Sequence, residues 1–211
     1  MKKTSLYLIA MGLFTLLAGC RKDVIKNLDD NESIVYITEH DSTKSFSNYH
    51  TFKIADSVSV IGDGQFAGRA YTLYDSNLIA SLRQAMVQRG FQLETDRTKT
   101  PDIGINVSRI TTQYTGIVSY NDYYGIYDSY WDPYDWGYGG YDYYFPYAFG
   151  TYTFREGALS LDMVDLKNPD TNTNRLRTLW TGLARGTGIF GVTNVNDAVQ
   201  ALFNQSPYIS Q

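Results

Sequence analysis

The residues able to do chemistry in this chain are few, and their spacing argues against catalysis. Asp162 and Asp165 are the closest approach to a carboxylate pair. Three positions apart on a strand, they point to opposite faces, whereas general acid and base must converge on one substrate. The expected role for both is that of solvated strand-edge carboxylates. His40 and His50 are the only histidines and have no cysteine nearby, which makes a poor metal site. Ser160 lies within a predicted strand and not on a sharp nucleophile turn, and the chain has no G-x-S-x-G. Asp122, Asp128, Asp132, Asp135 and Asp142 lack the ligand spacing of a calcium loop. Gly186-Thr187-Gly188-Ile189-Phe190-Gly191 fits G-x-G-x-x-G, but only twenty residues follow it. The next strand and the acidic residue of a dinucleotide fold have no chain to occupy, so a glycine turn into a last helix is expected. The chain is therefore not expected to be an enzyme, to carry a cofactor or to bind metal. A hydrolase using the scattered aspartates, Asp162 first among them, is the alternative of another class.

Residues 114–152 hold thirteen of the nineteen tyrosines, with Trp131, Trp136, Phe145 and Phe149, interleaved with Asp and Gly and free of Lys and Arg. Single-stranded nucleic acid needs cations beside stacking rings, and the formal net charge of the whole chain is −4, so nucleic acid is excluded as a partner. Flat rings with hydroxyl tips suit sugar rings, peptide chains or packing on the protein itself. Two readings stand side by side. The segment is a hairpin extension whose rings cover the sheet or stay solvated, or it is a surface for a glycan, peptidoglycan or an envelope protein. Tyr123, Tyr124, Trp131, Trp136 and Tyr141 are the rings expected on such a surface. Self-association through stacked aromatics is the third outcome.

The amino terminus has the anatomy of a signal peptide: Lys2 and Lys3, then an apolar run of about a dozen residues, short of the roughly 20 needed for a spanning helix. It ends in Leu17-Ala18-Gly19-Cys20, which resembles the lipobox of bacterial lipoproteins. Cys20 is the only cysteine, so no internal disulfide competes for it. The resemblance implies residues 1–19 as a signal peptide, a diacylglyceryl thioether on Cys20 and an N-linked acyl chain such as palmitate. It also implies anchoring in a bacterial envelope membrane. Loss of residues 1–19 removes Lys2 and Lys3 and takes the formal charge from −4 to −6. Arg21, where an enteric inner-membrane lipoprotein carries Asp, favours the outer membrane. Asp23, Asp29 and Asp30 dilute the acidic signal for surface display, so periplasmic and surface-exposed orientations both stay open.

The elements that must position these groups form one domain over residues 33–211, after a polar tether at residues 20–32. Strands are expected at residues 34–37, 51–54, 91–94, 103–110, 158–166 and 178–185, with a polar turn at 167–175 making the last two a hairpin. Helical spacing of Leu78, Ile79, Leu82, Ala85 and Met86 predicts a helix over 73–89, stopped by Gly90. Ala198, Val199, Leu202 and Phe203 predict another over 196–204, closed by Pro207. The order predicts an α+β fold: a mostly antiparallel sheet of about six strands, two helices on one face, and the tyrosine-rich insertion.

Six landmarks run in the order of a known family. Phe46-Ser47-Asn48-Tyr49-His50-Thr51-Phe52 resembles F-S-x-Y-x-T-F, and residues 82–91 resemble a helix ending in a Gly-aromatic pair. Pro101-Asp102-Ile103-Gly104-Ile105-Asn106-Val107 resembles an A-D-hydrophobic-x-V strand, and residues 157–165 resemble G-x-L-x-I-D-hydrophobic-x-D. Leu179-Trp180-Thr181-Gly182 resembles hydrophobic-W-x-G, and an Ala-Val helix then runs to Pro207. Together they resemble the bacterial lipoprotein family catalogued as domain of unknown function 4136. The insertion is longer here than in that pattern, and His50 stands where Lys is commoner. The resemblance implies a fold and an envelope address, and it carries over no catalytic residue. The expectation is a membrane-anchored, non-catalytic binding or assembly module.

Overall fold

The computed structural model describes residues 34–96, 98–111, 118–119, 136–147, 153–154, 157–191 and 195–211. The expected signal peptide and tether, with Cys20, and also Tyr123, Tyr124 and Trp131, lie outside the described residues. The fold is α+β. Its strands are β1 (Val35–His40), β2 (Thr51–Ile54), β3 (Val58–Gly62), β4 (Gln65–Ala70), β5 (Gln92–Leu93), β6 (Ile103–Thr111), β7 (Val118–Ser119), β8 (Asp142–Tyr144), β9 (Thr153–Phe154), β10 (Gly157–Asp170) and β11 (Arg175–Gly186). Helix α1 (Leu73–Gln88) follows β4, and α2 (Val195–Asn204) follows β11.

Among the described residues nine strands form one sheet, in the path β1-β11-β10-β6-β2-β5, and β7 pairs with β9 apart from it. The expected six-stranded, mostly antiparallel sheet is corrected on both counts. One edge of β6 is shared end to end by β2 and β3, both parallel to it. One edge of β11 is shared by antiparallel β1 and parallel β8. The β3–β4 hairpin escapes sequence reading because Gln65-Phe66-Ala67-Gly68-Arg69-Ala70 lacks alternation and faces mostly solvent. Its turn uses Asp63 and Gly64 at positive φ. The polar stretch at 167–175 is also corrected: pairing of Asp170 with Arg175 carries both strands into it and leaves four turn residues. Asp170 closes that turn by accepting from the N–H groups of Asn172 and Thr173.

Helix α1 begins with a capping box, Thr72 Oγ1 accepting from Asp75 N–H and Asp75 accepting in return from Thr72 N–H at 2.7 Å. Gly90, at φ 96°, ends it. Leu78, Leu82, Ala85 and Met86 from α1 and Ala198, Val199, Leu202 and Phe203 from α2 join Phe52, Ile103, Ile105, Val107, Leu159, Leu161 and Met163 in one core. Both helices thus lie on one sheet face. Truncating a fully buried leucine there, Leu78 or Leu82, costs about 2–5 kcal/mol. Arg89, just past α1, donates to the carbonyls of Phe203, Ser206 and Ile209 and so satisfies the exposed end of α2.

The hydrophobic-W-x-G spacing has a steric cause. Trp180 and Gly182 alternate onto the helix-bearing face of β11, and the indole lies along the strand so closely that a Cβ on Gly182 would fall inside it. The indole Nε1 donates to Ser206 Oγ at 2.8 Å, tying β11 to the segment after α2.

Candidate binding site on the second sheet face

The residues that alternate with the helix-facing core point to the opposite face of the sheet, and at its centre they are polar. Ser59, Ser108 and Ser160 align across β3, β6 and β10, and Asn106, Asp162 and Thr181 align across β6, β10 and β11. Thr178 lies further along β11, opposite Val164. A polar half of an alternating strand reads as solvent-facing. Here every one of these seven side chains is buried, at 0–2% exposure. The expectation of Asp162 as a solvated strand-edge carboxylate is therefore corrected: β10 is a central strand and Asp162 sits in the buried layer.

Part of this layer is satisfied. Thr181 donates to Asp162 Oδ1 at 2.7 Å and Ser160 donates to Oδ2 at 3.2 Å. Tyr147 lies 2.9 Å from the Thr181 hydroxyl. Because Thr181 spends its single proton on Asp162, Tyr147 is the donor in that pair. Burial pushes the Tyr147 phenol well above its ordinary value. The other part is not satisfied: among the described residues Ser59 Oγ, Asn106 Nδ2, Ser108 Oγ and Thr178 Oγ1 are buried without a hydrogen-bond partner. Each such group costs about 1–3 kcal/mol.

The tyrosine-rich segment, where it is described, flanks this layer. Trp136, expected on a binding surface, is only 6% exposed and packs with Val164, Leu166 and Leu176 in a second small core. A Cβ on Gly104 would stand 2.9 Å from the indole, so the glycine is what lets the ring lie on β6. Trp136 Nε1 donates to Tyr143 OH at 3.1 Å, and Tyr138 OH donates to the Leu166 carbonyl at 2.8 Å. Tyr141 is half-buried and meets Tyr138 edge to face. The rings of this part of the segment cover the sheet, which is the covering role weighed from the sequence.

The remaining sequence candidates are dispersed. Asp165 faces away from Asp162 and accepts from Tyr49 OH at 2.8 Å and from the Asn168 amide, so it too is buried and not a solvated edge group. His40 stacks on Tyr208, with ring centroids 4.0 Å apart, and His50 is exposed. Neither histidine is bonded to Ser160, whose hydroxyl is directed to Asp162. The glycine run leaves β11 through Gly186 and Gly188 at positive φ and seats Ile189 in the core. Tyr74 OH donates to the Ile189 carbonyl there at 3.0 Å. Among the described residues no three His, Cys, Asp or Glu side chains cluster as metal ligands.

The family landmarks converge at one corner. Asp102 accepts from His50 N–H at 2.6 Å, Asp102 N–H donates to Thr51 Oγ1 at 2.9 Å, and Lys167 Nζ lies 3.6 Å from Asp102. Sequence reading found His50, Thr51 and Asp102 within motifs and Lys167 in a polar turn, but missed the serine and asparagine layer. Its signal is the small polar series Gly104, Asn106, Ser108 between the isoleucines and valine of β6.

No curated protein matches the chain. A crystal structure of a DUF4136 family protein from Bacteroides thetaiotaomicron is similar, with a TM-score of 0.70 and 27% identity over 86% of this chain and 99% of that one. A PelC variant dodecamer from Paraburkholderia phytofirmans aligns over 84% of this chain and 98% of its own, at 7% identity and a TM-score of 0.38. The family model for the domain of unknown function DUF4136 matches residues 37–208, and the chain belongs to that family.

Proposed function

We propose that this protein is a non-catalytic binding module of the bacterial cell envelope, held at the outer membrane by lipid on Cys20. Its recognition element is the tyrosine-rich segment, whose described part flanks the buried polar layer of the sheet. The observation that carries the reading is the set of four buried, unpartnered groups on Ser59, Asn106, Ser108 and Thr178. Buried polar atoms in native proteins are nearly always paired, and exceptions call for an explanation, of which a bound polar ligand is one.

The chemistry on offer is hydroxyls and an amide, with Asp162 as an acceptor and aromatic rings alongside. That combination suits a neutral, hydroxyl-rich ligand. A glycan or peptidoglycan strand is the ligand class this supports. The test is retention of the full-length protein, in detergent, on immobilised envelope polysaccharide, beside an Asn106→Leu, Ser108→Ala variant. Loss of retention in the variant supports the reading. Equal retention of the two proteins, or none by either, overturns it.

A further inference from the structure

At the far end of β11, away from the polar layer, three cations face one cavity. Arg175 and Arg177 alternate onto the same face of β11, and Lys44 reaches the cavity from the loop between β1 and β2. The cavity measures about 330 Å³, the lower end of what small-ligand sites require. Tyr144, in register with Arg177 on β8, lies over both guanidinium groups, at 5.5 Å from Arg177 and 5.9 Å from Arg175. The ring is 41% exposed, so it walls the cavity without closing it.

The charges in this cavity are only partly balanced from within, Asp170 being the cross-strand neighbour of Arg175 and within reach of its charge. Arg177 is held by Asp41 at 2.8 Å. Among the described residues neither Lys44 nor Arg175 has an ion-pair partner within 4 Å. The acidic residue of the lining, Asp170, is engaged by its own turn, accepting from Thr173 Oγ1 at 2.7 Å and from two backbone N–H groups. A chain of formal charge −4 has thus gathered three of its 18 basic side chains around one opening. Two of them keep donors free for a guest.

We infer that this groove is a binding site for an oxyanion, a carboxylate or a phosphate, carried on a ligand of about monosaccharide size. Arg175 supplies a planar fork that matches either oxyanion, and Lys44 supplies a point charge opposite it. Asp41 fixes Arg177, and the Tyr144 ring packs on both guanidinium groups. The groove shares no residue with the polar layer, so the inference stands or falls separately from the function proposed above.

The experiment is calorimetric titration of the full-length protein in detergent with glucuronate, glucose 6-phosphate and glucose. The double variant Lys44→Gln, Arg175→Gln is titrated in parallel after its melting curve is compared with that of the parent. Expected is binding of one or both acids, weakened at least tenfold in the variant and falling with added salt, with glucose bound at least tenfold more weakly than the acids. Preference for glucuronate identifies a carboxylate source, and preference for glucose 6-phosphate a phosphate source. If glucose binds as well as the acids, or the acids bind the variant equally, or no acid binds the parent at millimolar concentration, the inference is overturned. Should the variant melt early, the salt dependence and the glucose comparison on the parent protein decide.

Discussion

Tyr49 donates a 2.8 Å hydrogen bond to Asp165 across 116 residues of sequence, and both side chains are buried. The pair joins the F-S-x-Y-x-T-F segment to the second of the three aspartates of β10. The Asn168 side chain and N–H also donate to Asp165, and Lys167 lies over the Tyr49 ring at 6.0 Å. Two of the family's sequence landmarks are thus two halves of one buried contact.

Removing the phenol should show what that contact is worth. Tyr49→Phe keeps the ring and deletes the donor to a carboxylate, a loss of about 1.5–3 kcal/mol for a charged hydrogen bond. Urea unfolding should give this drop with an unchanged m value. Asp165→Asn and the double variant complete a cycle, and a coupling energy near zero would show that the bond contributes nothing.

Alkaline pH should unfold the protein through its tyrosines. Burial raises Tyr49 and Tyr74 above the ordinary phenol range, with the Asp165 hydrogen bond adding to the effect at Tyr49, and burial raises Tyr147 likewise. A raised folded pKa stabilises the fold fully below the unfolded value, near pH 10, and that contribution is lost as pH climbs from there towards the folded value. Chemical unfolding at pH 9, 10, 11 and 12 should therefore show stability falling from about pH 10 upward. Phenolate absorbance should rise in two stages, exposed rings first and the buried ones together with loss of the circular dichroism signal. A single smooth titration with the fold intact would contradict the burial argument.

The helices and long strands were legible because their signals are local: the 3.6-residue spacing of Leu78, Leu82, Ala85 and Met86, Gly90 behind them, and the alternation along β6. The β3–β4 hairpin was not legible, because β4 is exposed and carries no alternating pattern to read. Parallel pairing of β2 and β3 on one edge of β6 is a tertiary choice that no local pattern encodes. The polar layer was misread for a related reason. Gly104, Asn106 and Ser108 look like a wet face, and what buries them comes from elsewhere in the chain, as Trp136 does on Gly104. Sequence spacing did place Asp162 and Asp165 on opposite faces, since that follows from strand geometry alone.

Within the polar layer, two threonines on β11 should respond in opposite ways to the same substitution. Thr181 donates to Asp162, so Thr181→Val takes a donor from a buried carboxylate and should cost about 1–3 kcal/mol. Thr178 Oγ1 has no partner, so Thr178→Val exchanges an unsatisfied hydroxyl for a methyl of the same shape and should be neutral or stabilising by about 1 kcal/mol. Thermal melts of the two variants in one buffer check this. A matching loss in both would mean that the Thr178 hydroxyl is as well bonded as that of Thr181.

The membrane attachment proposed for this chain rests on Cys20. Among the described residues no helix is long and apolar enough to cross a membrane. Once residues 1–19 are gone the formal charge of −6 repels anionic lipid instead of attracting it. Each buried methylene of an acyl chain contributes about 0.8 kcal/mol, and one chain alone gives only marginal attachment, so the expected two or three chains make the anchor firm. Cys20→Ala should therefore yield either a protein in the soluble fraction or an unprocessed precursor still carrying its signal peptide. Fractionation with a carbonate wash, read by mass spectrometry of the amino terminus, separates these states. A Cys20→Ala protein that is cut at its usual place and stays in the washed membrane would mean that attachment is made by the folded domain itself.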